Sequence, residues 1–198
     1  MPIPKILVVS GSTRVGSHNT RLAALAAKEL SLGDADVTRI SLTDYPLPLY
    51  DADLEQETGT PHNAIKLKQM ISANHGVFIT SPEYNASVTP LLKNAIDWIG
   101  NVREKGEPQL AAYQNRIFAI GAASSGPSGG TQSLITLRQI LAVGCRALVL
   151  GEQIVVPFAK QAFDEMDNLR DTNTAGQLKL VTRKLVELAR MWVREVAR

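Results

Sequence analysis

The chain has 198 residues, of which 44% are hydrophobic and 20% charged, and its formal net charge is +2. This size and balance are typical of one globular domain whose core needs neither disulfides nor a structural metal, so we expect a single domain over residues 1–198. Lys and Arg are scattered, and no apolar stretch reaches the roughly 18 residues that span a bilayer. The sequence therefore argues against nucleic-acid and membrane partners.

Cysteine and histidine usage narrows the chemistry further. Cys145 is the only cysteine, which excludes an intramolecular disulfide and CxxC chemistry, and its apolar neighbours predict a small buried core residue. The three histidines, His18, His62 and His75, have no metal-ligand spacing, so we predict no metal. The apolar run at the N-terminus is too short for a signal peptide, which indicates a cytoplasmic protein.

Strand-like and helix-like segments alternate five times along the chain. Strands are expected at residues 5–10, 35–42, 76–81, 115–123 and 145–156. Helices are expected at residues 19–30, 61–74, 90–100, 131–143 and 173–197, the last with an apolar stripe at Leu178, Val181, Leu185, Leu188, Trp192 and Val196. This alternation predicts an α/β fold: a flavodoxin-like three-layer sandwich, with a five-stranded parallel sheet of order 2-1-3-4-5 and helices on both faces.

Right-handed crossovers place the loops after strands 1, 3 and 4 along one end of such a sheet, where ligands bind. We name them the first loop (residues 10–20), the second loop (81–89) and the third loop (121–133). A further long connection, residues 43–60, holds two prolines and many turn formers. A connection of that length in a compact domain is usually functional or mobile.

The first loop joins a buried strand to a helix start, where main-chain N–H groups and the helix dipole favour an anion. Arg14 adds a cation, and several hydroxyl and amide side chains add neutral donors. A Walker A loop needs Lys after its second glycine, but Gly16 is followed by Ser17 and His18; a Rossmann fingerprint needs glycine where Thr13 stands. The loop suits a monophosphate, with a capped helix start that holds no ligand as an equal alternative.

The second loop combines a rigid turn with groups that suit a flat ligand. Pro82 restricts Ser81 to an extended conformation, and Glu83, Tyr84 and Asn85 then present main-chain groups beside an aromatic ring. A planar heterocycle with donors and acceptors on its edge fits such a surface. The alternative is a rigid turn with a partly buried tyrosine.

The third loop holds four glycines and four serines, which allow close approach of the main chain to a ligand. The alternative is a merely flexible loop. In the helix after the second loop, Asp97 and Trp98 invite a catalytic interpretation, but we favour Trp98 as core or interface packing and Asp97 as an i, i+4 partner of Lys93.

Three stretches, GSTRVGSHN, PEYNASVTPLLKNAIDW and GAASSGPSGG, together resemble the NADPH-dependent FMN reductase family, which includes chromate and quinone reductases and azoreductases. The resemblance runs from the first strand to at least residue 142. It implies a flavodoxin-like fold that binds FMN noncovalently and takes NADPH or NADH as co-substrate. Family members are commonly dimers or tetramers, so the resemblance implies a homodimer or homotetramer with its active site near a subunit interface.

The resemblance also assigns cofactor-binding roles within all three loops. The segment LPLYD (residues 47–51) looks like the family's segment near the flavin. The assigned residues are Ser12, Arg14, Ser17 and Asn19 for the phosphate, Pro82, Glu83, Tyr84 and Asn85 for the isoalloxazine ring, and Ser124, Ser125 and Gly126 in the third flavin loop. No side chain is required as a catalytic acid or base, so we name no catalytic residue.

The activity expected from this resemblance is FMN-dependent NAD(P)H oxidation coupled to reduction of a small-molecule acceptor: a quinone, azo or nitro compound, chromate or free flavin. NAD(P)H passes a hydride to flavin N5 and leaves, and the acceptor takes its place, which predicts ping-pong kinetics. Main-chain N–H groups around residues 83–85 stabilise charge on the reduced ring.

Two other classes of protein stay open at this point. A flavodoxin-type electron carrier without its own NAD(P)H activity is the first, although such carriers are usually strongly acidic and this chain has a net charge of +2. A phosphate-binding regulatory domain or NTPase is the second, and the missing Walker lysine counts against it.

Overall fold

The structure is a computed structural model that describes residues 3–196, with side chains as far as Val193. Its strands are β1 (Lys5–Ser10), β2 (Asp36–Ser41), β3 (Gly76–Thr80), β4 (Ile117–Ala123), β5 (Leu148–Val149) and β6 (Ile154–Val156). Its α-helices are α1 (His18–Leu32), α2 (Ala52–Thr58), α3 (His62–Ser72), α4 (Pro90–Asn101), α5 (Thr131–Gln139), α6 (Ala159–Ala162) and α7 (Thr172–Val196).

All strand pairs of the sheet are parallel, and the order is β2-β1-β3-β4-β5, with β6 also paired to β4. One apolar cluster joins one face of the sheet to α3, α4 and α5, and a second joins the other face to α1 and α7. The predicted α/β sandwich and strand order are confirmed. The central strands are buried along almost their whole length, as their unbroken apolar runs indicate.

The fifth predicted strand, residues 145–156, is two strands, and that prediction was wrong in detail. Val149 pairs with Phe118 and Ile154 with Gly121. The four residues between Val149 and Ile154 therefore span the distance that only two residues cover in β4. The surplus residues leave the sheet. The Arg138 guanidinium holds them by donating to the carbonyl oxygens of Leu150 (2.5 Å) and Gly151 (3.3 Å).

The long connection at residues 43–60 is more ordered than its composition suggests. It contains a 3₁₀ turn (Leu42–Asp44) and α2, whose first N–H groups bond to the Asp51 carboxylate. Pro48 lies against α4, because its carbonyl accepts from Trp98 Nε1 (2.7 Å) and from Asn94 Nδ2 (2.8 Å).

The last helix has the predicted apolar stripe. Leu178, Val181 and Leu185 are buried, and Leu188 and Trp192 pack against the same cluster. The side chain of Val196 and the predicted end at residue 197 lie outside what the structure describes.

Trp98 is fully buried within one chain, and Asp97 pairs with Lys93 at 2.7 Å. The interpretation of both residues as structural is confirmed, and Trp98 belongs to the core of the chain. The apolar face that carries Trp98 is therefore no argument for a subunit interface.

Cys145 is buried as predicted, and burial raises the pKa of its thiol to about 12. The thiolate is the reactive form of cysteine, so this side chain is chemically inert in the folded protein.

Helix α5 receives its N-terminal cap from another loop. Its N-cap residue is Gly130, which has no side chain, and the N–H of Gln132 instead donates to the Glu83 carboxylate at 3.0 Å. Ser133 Oγ adds a longer bond to the Ser81 carbonyl, at 3.4 Å. The second loop is thereby held against the helix that follows the third loop.

Gly121→Ala should lower the free energy of unfolding by about 1–3 kcal/mol, the usual cost of overpacking a core. A Cβ at this position would lie 2.6 Å from Ile154 Cγ2, inside the sheet. The measurement is the urea midpoint, with Gly144→Ala as the control because a Cβ there meets nothing within 4 Å. Equal urea midpoints for the two variants would contradict this prediction, because they would show that β4 and β6 can move apart around the added Cβ without loss of stability.

Glu83→Ala should lower the free energy of unfolding by about 1 kcal/mol, because the α5 cap is lost. Glu83→Gln keeps an acceptor oxygen but loses the attraction between charge and helix dipole, so its loss should be smaller. Urea unfolding at low and high salt measures both, and the difference between the two variants should shrink at high salt. Glu57→Gln, at an exposed position on α2, is the control; a Glu83→Ala midpoint equal to that of the control contradicts the cap.

Candidate active site

The first, second and third loops leave the sheet at the same edge. Ser10 at the end of β1 pairs with Thr80 at the end of β3, and Thr80 pairs with Gly121 in β4. The Gly11 N–H donates to the Thr80 carbonyl at 2.7 Å, and Thr89 Oγ1 donates to the Gly11 carbonyl at 2.7 Å. The structure therefore brings the three loops together at the carboxyl ends of adjacent strands, as the sequence predicts.

The first loop keeps hydroxyl donors free. Ser17 Oγ accepts from the N–H groups of Asn19 (3.2 Å) and Thr20 (3.4 Å), which caps α1, and Ser12 Oγ accepts from the N–H of Arg14 (3.3 Å). A hydroxyl has one proton to donate besides the lone pairs used here. Each serine oxygen accepts from the main chain, and its hydroxyl proton can still be donated to a ligand.

Positive charge gathers around the start of α1. Burial lowers the pKa of His18, and the positive charges of Arg14, Arg21 and Lys160 lower it further. Arg21 is neutralised by Asp167 at 2.6 Å, but among the side chains described, those of residues 3–193, neither Arg14 nor Lys160 has a carboxylate partner. An anion at this position gains from both cations and from the dipole of a 15-residue helix.

Lys160 is the functional candidate that the sequence analysis missed. It lies on α6, a four-residue helix that no pattern in the sequence indicated. The Ala159 N–H donates to the Ser124 carbonyl at 2.9 Å, and this contact brings α6 to the third loop. Only that tertiary contact reveals the position of Lys160.

The second loop is a tight hairpin. The N–H of Tyr84 donates to the Ser87 carbonyl (2.9 Å) and the N–H of Ser87 to the Tyr84 carbonyl (3.0 Å), while Asn85 and Ala86 take φ of 50° and 62°. These angles define a type I′ turn. The Tyr84 side chain is 51% exposed, so its ring lies at the surface, more open than the partly buried tyrosine of the alternative interpretation.

This hairpin limits which main-chain groups of residues 83–85 can meet a ligand. Pro82 has no N–H, and that of Tyr84 is used within the turn. In the described part of the chain the N–H groups of Glu83 and Asn85 have no acceptor, whereas the Glu83 carboxylate caps α5. Glu83 and Asn85 therefore offer main-chain donors, and Glu83 does not offer its side chain.

The third loop is held in place by the chain beyond β6. The Ser124 N–H donates to the Val156 carbonyl (3.1 Å), and the Gly126 carbonyl accepts from the Phe158 N–H (3.2 Å). Gly126 N–H donates in turn to Ser124 Oγ (3.3 Å), while Ser125 is exposed. These bonds argue against the merely flexible loop.

Most glycines of the third loop serve packing within the protein, which corrects the expectation that they make room for a ligand. A Cβ on Gly129 would lie 2.4 Å from Val155 Cγ1, and one on Gly130 would lie 2.8 Å from Ala122 Cβ. Gly121 packs as closely on β6. Gly126 is different, since its nearest neighbour is Ser124 Oγ at 3.9 Å. Of the four, Gly126 alone has open space above its main chain.

Within residues 3–193, where the structure describes side chains, no cluster of three or more His, Cys, Asp or Glu is arranged to hold a metal ion. None of the helices within residues 3–196 is both long and apolar enough to cross a bilayer.

The solved structures most similar in fold include flavoproteins. The flavoenzyme NAD(P)H:(acceptor) oxidoreductase of Paracoccus denitrificans has a TM-score of 0.78 at 24% identity, over 96% of this chain and 98% of that chain. At that identity the likeness supports the flavodoxin-like fold alone.

Sequence relatives carry more information. A quinone reductase of Escherichia coli K12 is 37% identical over 141 residues, which are 69% of each protein. An NAD(P)H-dependent FMN reductase of Pseudomonas aeruginosa is 29% identical over 196 residues, 97% of this chain and 96% of that protein. The family model described as NADPH-dependent FMN reductase matches residues 4–161. The chain thus belongs to the NADPH-dependent FMN reductase family, a family of oxidoreductases that use FMN and NAD(P)H.

Proposed function

We propose that this chain is an FMN-dependent NAD(P)H oxidoreductase that reduces quinones or similar small-molecule acceptors. The observation that carries the proposal is the juxtaposition at one sheet edge of an anion-binding helix start and a half-exposed aromatic turn with unused N–H donors. These features match the two ends of FMN, a phosphate and a flat heterocycle.

The first loop fits the phosphate. The hydroxyl protons of Ser12 and Ser17 are unused, and Arg14 and Lys160 supply positive charge without a carboxylate partner among the described residues. Hydrogen bonds between charged donors and phosphate oxygens are about twice as strong as neutral ones. A monophosphate dianion is matched in charge by these two cations.

The second loop fits the ring. Tyr84 offers an exposed aromatic side chain, and the main-chain N–H groups of Glu83 and Asn85 offer donors to the edge of a heterocycle. The type I′ hairpin and the Glu83 cap hold these donors in position before a ligand arrives. Preorganised donors of this kind stabilise negative charge without reorganisation during the reaction.

FMN, when bound, supplies the two-electron chemistry between donor and acceptor. NAD(P)H gives up two electrons and one proton, and a quinone takes these with one proton from water to become a hydroquinone. Because one surface beside Tyr84 serves both molecules in turn, we expect ping-pong kinetics. The protein provides placement and electrostatic stabilisation, and no side chain is assigned as a catalytic acid or base.

Three further expectations from the sequence stay predictions here: a homodimer or homotetramer, a cytoplasmic location, and a role for residues 47–51 beside the flavin. The last gains support from the Pro48 carbonyl, which Trp98 and Asn94 hold against α4, the helix that follows the second loop.

The purified protein should be yellow, or become so on addition of FMN, and its flavin absorbance should bleach when NADPH is added under nitrogen. Addition of a quinone should restore the bands. NADH in place of NADPH compares the two donors. Bands that persist with both donors would support an electron carrier, and a protein that retains no flavin after addition of FMN would contradict the proposed site.

Arg14→Ala should weaken FMN binding by about tenfold or more, the effect of removing one charge-assisted hydrogen bond to phosphate. Turnover at saturating FMN should change far less, because Arg14 serves the phosphate end of the site. Flavin fluorescence quenching measures the affinity, and Arg103→Ala, at an exposed position remote from the first loop, is the control. Equal losses of affinity and saturated turnover would remove Arg14 from its assigned role.

A further inference from the structure

Asn19 bonds to the end of β4 through its side chain. Nδ2 donates to the Ala123 carbonyl at 2.8 Å, and Oδ1 accepts from the Ala123 N–H at 3.0 Å. The residue is 3% exposed. Both bonds satisfy main-chain groups that would otherwise be buried without partners.

These bonds replace a strand that has ended. β3 pairs with β4 only as far as Thr80 and Gly121, so β4 extends two residues further without β3 beside it. On its other side Ala123 has β6, where it pairs with Val156. The Asn19 amide, which has the same donor and acceptor groups as a peptide, thus completes the sheet at the point where the third loop begins.

The main chain of Asn19 bonds to its own loop and to the end of β3. Its N–H donates to Ser17 Oγ in the first loop, and its carbonyl accepts from Thr80 Oγ1 at 2.9 Å, directly before the second loop. Thr80 and Ser17 are buried too. Asn19 therefore ties the first loop to the ends of β3 and β4, where the second and third loops begin, through hydrogen bonds shielded from water.

We propose that Asn19 is a positioning residue that fixes the third loop relative to the first, so that the phosphate end and the ring end of the site form as one unit. The resemblance to the family assigns Asn19 to the phosphate, but its amide is buried and used by Ala123. The inference rests on the proposed FMN site. It predicts that loss of the Asn19 side chain affects a flavin with or without a phosphate.

A comparison of FMN with riboflavin, which lacks only the phosphate, tests this role. Asn19→Ala should weaken binding of both flavins to the apoprotein by about the same factor, roughly tenfold, since two buried main-chain groups lose their partners. Arg14→Ala should weaken the binding of FMN and leave the binding of riboflavin unchanged. The measurement is the dissociation constant of each flavin from fluorescence quenching, with circular dichroism confirming that each variant is folded.

Asn74→Ala is the matched control. Asn74 is also buried and its amide also bonds to a main-chain carbonyl, that of Met70 at 2.7 Å, but it precedes β3 at the opposite end of the sheet. It should lose stability without losing affinity for either flavin. Thr80→Val is nearly isosteric and removes the hydrogen bond to the Asn19 carbonyl, so it tests the proposal if Asn19→Ala does not fold. It should weaken binding of FMN and riboflavin by the same factor, which is smaller than the factor for Asn19→Ala.

Two results would overturn the proposal. Loss of FMN affinity alone, in Asn19→Ala or in Thr80→Val, would make Asn19 part of the phosphate site. Unchanged affinity for both flavins in a folded variant would make the bonds to Ala123 irrelevant to the site. Failure of the wild-type protein to bind either flavin would instead contradict the proposed function.

Discussion

The proposed site depends on the parallel pairing of β1, β3 and β4, three adjacent strands of the sheet. Parallel strands direct their carboxyl ends to the same edge, so the loops that follow them are neighbours although they are far apart in sequence. The register Ser10–Thr80–Gly121 sets their relative height. Hydrogen bonds between the loops then hold them, chiefly those of Gly11, Thr89 and Asn19.

The chemistry of the site follows from what this bonding leaves over. Most buried polar groups in the loops are paired with one another, because an unpaired one costs about 1–3 kcal/mol. His18 Nδ1 in the first loop is buried without a partner within residues 3–193. Among the described residues, the groups without a protein partner include the hydroxyl protons of two buried serines in the first loop, two cations near the start of α1, and two N–H groups in the hairpin. Their arrangement, with positive charge at one end and an exposed aromatic turn at the other, complements a flavin mononucleotide, which has a negative phosphate and a flat ring.

Several residues that look available in the sequence are used inside the protein. Glu83 caps α5, Tyr84 uses its N–H to close its own turn, and Asn19 completes the sheet beside Ala123. Glycines of the third loop likewise permit close packing on β6. A sequence motif gives the order of chemical groups along the chain. The folded structure decides which of these groups are available to a ligand and which hold the loops together.

The sequence by itself determined the α/β class, the strand order and the expected place of the site, because unbroken apolar runs mark buried parallel strands and polar turns follow three of them. It also determined the family, through the motifs in these turns. Only the tertiary structure decided that residues 145–156 form two strands, since the surplus length is visible only against β4. The tertiary structure likewise decided the position of Lys160 beside the proposed phosphate end of the site. Lys160 lies 146 positions from Arg14 in the chain, and only packing of α6 on the third loop brings the two charges to the same helix start.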